Sequence, residues 1–213
     1  MKKINLFFIC ISLFTTMTFS QSYHPATSEQ QRDLIKNITA ASERLKTLHS
    51  DFVQKKTISI LADELISEGK LSFKQPNKLC WEYTRPYQYR FMMNGEKVMI
   101  DSGTNKNIID VNTNKMFSEI SKIIISGING AGIFDGNKFT AKFNVGQNDY
   151  QIVLTPAQKD LKQMFNTITI TFDKRDFSVN TVELKEANGD ITFITMKNKQ
   201  INIQLSDEIF DIN

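Results

Sequence analysis

Cysteine and histidine are almost missing from this chain. Of its 213 residues, two are cysteine, Cys10 and Cys80, and two are histidine, His24 and His49. Two cysteines exclude a disulfide scaffold, and so few unclustered thiol and imidazole ligands do not make a metal site. Four prolines and nine glycines exclude collagen-like and low-complexity chains. A surplus of one charge sign is missing too. The 26 basic and 23 acidic side chains leave a net +3, too even for a dedicated nucleic-acid binder. No G-x-S-x-G, P-loop or G-x-G-x-x-G pattern occurs. The carboxylate pairs Asp63-Glu64 and Asp207-Glu208 fall in turn-like contexts and are expected to be solvated. His49 is expected at the end of a helix, as a partner of its dipole, and His24 in a frayed tail. Cys80 is expected to be a small strand residue pointing away from Leu79 and Trp81. An enzyme is therefore the least supported class, and no catalytic residue, metal or cofactor is expected.

Apolar material, by contrast, is ample: 40% of residues are hydrophobic and 16 are phenylalanine, enough for a core and too much for a disordered chain. The first twenty residues stand apart. Lys2 and Lys3, an apolar stretch over 6–14, and Ser20 with Thr18 two positions before it read as a secretory signal peptide cut between Ser20 and Gln21. The apolar stretch is short of the ~20 residues a membrane span needs. Cys10 follows Phe7-Phe8-Ile9, too bulky for lipoprotein processing. Cleavage removes two lysines and leaves Cys80 alone, so the exported chain is expected to hold together by packing despite an oxidising location. No repeat or linker divides residues 21–213, so one soluble domain is expected.

The first element of that domain is a helix. Ser28 with Gln31 forms a capping-box pattern, and Leu34, Ile35, Ile38, Ala41, Leu45 and Leu48 recur at helical spacing. From Asp51 onward the period is two. Leu71 and Phe73, then Leu79, Trp81 and Tyr83, then Tyr89, Phe91 and Met93, alternate with polar neighbours. Asn94-Gly95 and Asn188-Gly189 are hairpin signals, and 146–149 is a further turn. Further strands are expected over 52–60, 97–101, 108–111, 139–145, 150–154, 167–172, 182–186, 191–196 and 201–205. The pattern is mainly β: about eleven strands in an incomplete antiparallel barrel or curved sheet. One helix, over 115–126, interrupts it, with Met116, Phe117, Ile120, Ile123 and Ile124 on its apolar face.

Leu71, Phe73, Leu79, Trp81, Tyr83, Phe91 and Met93 share one face of the sheet, and both helices carry matching stripes. Helices that plug the barrel would make all of this core. An unfilled barrel under a helical lid would instead hold an acyl ligand. Composition does not separate the two, because cavity walls and cores use the same residue types.

One block is specific in residue order. Ser50-x-Phe52-x-Gln54, then Glu68-Gly69-x-Leu71-x-Phe73-Lys74-x-Pro76-x-x-Leu79-x-Trp81-x-Tyr83-x-x-Pro86, resembles the periplasmic lipoprotein carrier family, LolA. Asn94-Gly95 and Asp149-Tyr150-x-Ile152-x-Leu154-Thr155-Pro156 match later parts of the family pattern. The resemblance implies an incomplete antiparallel barrel, with an N-terminal helix and a lid helix, around an apolar cavity. Trp81 and Tyr83 match cavity-side positions, and Met116, Phe117, Ile120 and Ile124 fall where a lid element is expected. It implies a monomeric periplasmic chaperone without covalent chemistry. Such a carrier takes acylated lipoproteins from an inner-membrane ABC-type release complex and passes them to an outer-membrane acceptor. The task is physically demanding: each buried methylene is worth ~0.8 kcal/mol, so a multiply acylated protein does not leave a bilayer unaided.

The chain departs from the family at Gln75, where an arginine usually serves as the lid clasp. A neutral amide with two donors implies a weaker clasp. That difference keeps two other readings open: a carrier for another acylated lipid or glycolipid in a dedicated export system, and a lipid sensor.

Overall fold

The computed structural model describes residues 22–61, 63–111, 125 and 136–212. The expected helix over 115–126 lies outside the described residues except for Ile125. Among the described residues no helix is long and apolar enough to cross a membrane.

Twelve strands form one sheet: β1 (His24–Pro25), β2 (Thr47–Ile58), β3 (Asp63–Lys74), β4 (Lys78–Arg85), β5 (Tyr89–Asn94), β6 (Lys97–Asp101), β7 (Lys106–Asp110), β8 (Phe139–Val145), β9 (Asp149–Pro156), β10 (Phe165–Asp173), β11 (Val179–Glu186) and β12 (Ile191–Ile201). Their order across the sheet is β1-β8-β9-β10-β11-β12-β2-β3-β4-β5-β6-β7, with every pairing antiparallel. A sheet this wide curls around the face it buries, giving the incomplete barrel expected from the period-two pattern.

The helix α1 (Ser28–Arg44) covers one half of that face. Leu34 and Ile38 pack against Ile152, Leu154, Ile168, Ile170 and Phe172 of β9 and β10. Its capping box lies one residue before the expected place. Thr27 Oγ1 accepts from the Gln30 amide at 3.2 Å, and Gln30 Oε1 accepts from the Thr27 amide at 2.9 Å. The helix also stops earlier than its apolar period suggests. Asn202, at φ 59°, donates to the Arg44 carbonyl at 3.1 Å and accepts from the Lys46 amide at 2.7 Å. That bridge from a residue 156 positions away turns the chain into β2, where Leu45 and Leu48 join the core of the other half. His49 is therefore a strand residue bonded to Ser72 Oγ at 3.0 Å, not a helix-end partner. The strand expected over 201–205 does not form either. β12 ends at Ile201, and the positive φ of Asn202 leads the chain away from the sheet.

Two elements carried no clear period in the sequence, α2 (Lys159–Met164) and a 3-10 helix, Asp207–Phe210. The second opens a C-terminal strap across the outer face of β4–β6, where Phe210 and Ile212 pack on Cys80, Met92 and Met99. Asn94 Nδ2 donates to the Phe210 carbonyl at 3.0 Å. Asp207, exposed as expected, also accepts from Lys74 at 2.9 Å and Lys78 at 2.8 Å. The Lys78 and Lys74 hydrogen bonds pull its pKa down to about 2, so this anchor is intact at neutral pH and weakens as the pH falls toward that value. Burial pushes the Cys80 thiol up to about 11, with Glu82 adding and Arg90 opposing. It is a structural thiol, not a nucleophile.

Phe210→Ala should destabilise the fold by ~3–5 kcal/mol and turn Cys80 from inert to reactive toward a chromogenic thiol reagent. Equilibrium urea unfolding and thiol titration in native buffer check both.

Candidate ligand-binding site

The register sets the expected residues on one face. Leu71 lies opposite Trp81, and Trp81 opposite Phe91; Phe73 lies opposite Leu79, and Leu79 opposite Met93. Leu71, Phe73 and Leu79 are fully buried and Met93 nearly so. Trp81, Tyr83 and Phe91, nearer the β4–β5 end, are only half-buried. The face is thus a packed floor that grades into an aromatic wall.

That wall depends on a missing side chain. Gly69 faces Phe52 on β2 and Tyr83 on β4. A Cβ at Gly69 would collide with the Glu82 carbonyl oxygen and stand 2.6 Å from the Phe52 ring. With hydrogen alone there, the Phe52 ring crosses the β3 backbone. It reaches Trp81, 5.0 Å between centroids, and meets Tyr83 edge-on at 5.1 Å. Tyr89 extends the row at 5.9 Å from Tyr83. Such tilted and edge-on pairs favour the aromatic quadrupoles. Tyr83 donates to Gln54 Oε1 at 2.9 Å. Burial raises its pKa, while the neighbouring Trp81 and Gln54 groups pull the other way. Trp81 Nε1 is buried and has no hydrogen bond of good geometry among the described residues.

The rim is polar. Lys56, on the same face as Gln54, bonds Glu186 at 2.9 Å and lies 3.5 Å from Asp190. Thr192 donates to the same Glu186 oxygen at 3.0 Å. The bond to Glu186 raises the Lys56 pKa against its own burial, and this polar corner bounds the apolar face on one side.

Gln75 follows the last residue of β3 and ties the sheet to α1. Its side chain donates to the Ser42 carbonyl at 3.1 Å, and its backbone amide to the Lys46 carbonyl at 2.8 Å. Among the described residues its side chain therefore holds the N-terminal helix. Met116, Phe117, Ile120 and Ile124 lie outside the described residues. Val111 and Ile125, at the two ends of that stretch, both pack against the cluster containing Leu71 and Trp81. Sequence reasoning missed the Phe52 ring as the centre of the aromatic row, although the Phe52 and Gly69 positions were both visible in the motif.

The fold is thus an open antiparallel half-barrel with one apolar, aromatic-walled face partly covered by a helix. A family model described as "Outer membrane lipoprotein carrier protein LolA" matches residues 43–213. An outer-membrane lipoprotein carrier protein of Ralstonia nicotianae is 27% identical over 191 residues, 84% of this chain and 83% of that one. Its counterpart in Francisella tularensis subsp. tularensis is 25% identical over 211 residues, 99% of this chain and 92% of that one. Among solved structures, an uncharacterized conserved protein from Thermus thermophilus shares the fold, with a TM-score of 0.52 at 9% identity over 85% of this chain and 93% of that one. The chain belongs to the LolA family.

Gly69→Ala should cost ~2–3 kcal/mol through overpacking. It should also shift Trp81 emission as Phe52 is pushed off its neighbours. Urea unfolding and steady-state fluorescence of the folded variant check the two effects.

Proposed function

We propose that this protein is a periplasmic carrier of acylated lipoproteins, exported with residues 1–20 removed. It would take cargo from an inner-membrane ABC-type release complex and shield the acyl chains on the apolar face of its sheet. It would then pass the cargo to an outer-membrane acceptor. The observation that carries this reading is the gradation of that face: Leu71, Phe73 and Leu79 are sealed, whereas Trp81, Tyr83 and Phe91 keep exposed surface for a ligand to cover. Membership of a family described as lipoprotein carriers supports the same reading. We include the 115–126 segment, with Met116, Phe117, Ile120 and Ile124, as a second cover, since Val111 before it and Ile125 within it contact this face.

A triacylated lipopeptide should displace a bound apolar fluorescent probe and change the emission of Trp81. Trp81→Ala should lower lipopeptide affinity at least tenfold while costing well under the ~3–5 kcal/mol of a fully buried aromatic. Probe displacement, intrinsic fluorescence and urea unfolding read these out. Mass spectrometry of material co-purifying with the protein separates lipoprotein cargo from a free acylated lipid. Unchanged emission and no displacement over a wide lipopeptide range overturn the carrier reading.

Gln75 is the clasp of α1 in this reading. A neutral hydrogen bond contributes ~0.5–1.5 kcal/mol and a charged one ~1.5–3. The Ser42 carbonyl lies in the last turn of α1, where a cation is also favoured. Gln75→Arg should therefore shift the opening of α1 about five-fold toward closed and slow probe entry. Gln75→Leu should speed it. Hydrogen exchange of the 38–45 amides and stopped-flow probe binding measure both.

A further inference from the structure

The β2–β3 hairpin ends in an apolar tip that no part of the described structure covers. Ile60 is 90% exposed, Leu61 68%, Ile66 52% and Leu65 50%. These side chains surround the tip. Ile60 and Leu61 sit in the turn, and alternation along β3 places Leu65 on the face shared with Leu71 and Ile66 on the opposite face. The tip also projects. The β2–β3 ladder runs to the pair Ile58–Asp63, whereas β4 follows β3 only as far as the pair Glu68–Arg85. Residues 63–67 thus extend ~16 Å past that pair at the usual rise per strand residue. Tyr87, 79% exposed, stands in the β4–β5 connection at the same end.

The tip is held stiff from below. Ser59 donates through its amide to Asp190 Oδ1 at 3.0 Å and through its hydroxyl to the Asn188 carbonyl at 3.2 Å. The charges at its base are ion-paired but not balanced: Lys55 with Glu64 at 2.9 Å, Lys56 with both Glu186 and Asp190, and Arg85 with Glu68 set three cations against four carboxylates, with Asp63 beside them. β12 runs beside β2 as far as the pair Ile191–Thr57, so a partner recognising this end finds aliphatic side chains at the turn and on both faces of the hairpin, above a foot where carboxylates outnumber cations. A protein groove would favour a one-sided apolar stripe with a polar edge. A medium that closes around the tip from every side suits this pattern better.

We propose that the β2–β3 tip is a shallow membrane anchor that inserts Ile60 and Leu61 into the acyl region of a phospholipid bilayer. Asp63, Glu64 and Lys55 stay at headgroup level, because charged groups resist deeper entry, and Tyr87 takes the interfacial position that suits its amphipathic ring. The anchor would seat the carrier with the Trp81 end of its hollow toward the lipid surface, a role that rests on the carrier reading above. With carboxylates in excess at its foot, binding depends on apolar burial and not on anionic lipid.

The test uses the full-length gene product, exported and purified, with cargo-free phosphatidylcholine/phosphatidylethanolamine vesicles. Leu61→Cys carrying an environment-sensitive fluorophore should shift to shorter wavelength on vesicle addition, equally at low salt and at 0.5 M salt (roughly a 3–4 Å screening length). The same label at Glu96→Cys, in the turn at the opposite end, should not shift. Buried Cys80 leaves both labels selective. The doubly substituted Ile60→Asp, Leu61→Asp protein should lose co-flotation with vesicles at least tenfold with an unchanged unfolding midpoint, its side chains being exposed. No shift at position 61, or co-flotation unaffected by the double substitution, overturns the anchor. A shift that needs protein-containing outer-membrane vesicles also overturns it, in favour of a protein groove. Because empty vesicles contain no cargo, failure here with probe displacement intact removes the anchor alone. Failure of probe displacement with insertion intact removes the carrier reading alone.

Discussion

The passage of the Phe52 ring over the bare backbone of Gly69 is the contact on which the rest of this half-barrel depends. It joins three consecutive strands through one side chain, because Gly69 faces Phe52 on one side and Tyr83 on the other. Any β-carbon there collides with main chain as well as ring, and main chain cannot rotate aside as a side chain can. The glycine gives up strand propensity and in return lets an aromatic residue of β2 pack against those of β4. The Phe52–Trp81 and Phe52–Tyr83 pairs then fix where the wall turns from packed to open.

The two halves of the buried face are completed differently. On the β8–β11 side, α1 supplies Leu34 and Ile38 and leaves a filled core. On the β2–β6 side, Leu45 just after α1 and Val111 and Ile125 at the two ends of the 112–124 stretch pack against the sheet cluster. Val182 packs against both clusters and links the two halves. A filled half beside a graded half lets a single domain be stable while keeping partly exposed aromatic surface, a combination that a uniformly packed sandwich would not provide.

Much of this was legible in the sequence because strands that are wet on one face write a period of two. The expected bounds of β6 and β8 match the structure, and the seven candidate residues from Leu71 to Met93 do share a face. Where local pattern misled, a distant residue intervened. Leu45 and Leu48 continue the helical period of α1, yet the Asn202 side chain ends the helix at Arg44. A pairing 156 positions apart leaves no local trace. Likewise, the C-terminal strap is a short 3-10 turn with two apolar residues, Phe210 and Ile212, too brief to show a period. Gln75 stood out as a departure from the family pattern, but only geometry reveals that its donor meets the Ser42 carbonyl of α1.

The strap gives the sheet an unequal stiffness. Behind Trp81, strands β4–β6 are backed by Phe210, Ile212 and the Cys80–Met92–Met99 layer, so that part of the wall is three layers thick and resists bending outward. Behind β9–β11 the outer face carries Gln151, Val153, Thr167, Thr169, Thr171 and Thr181 beside a shallow groove of about 490 Å³, with no second layer among the described residues. A wedge driven between α1 and the sheet therefore meets a rigid wall on one side and a pliant one on the other. Bending of the sheet would fall on the threonine-backed half and leave the aromatic row fixed.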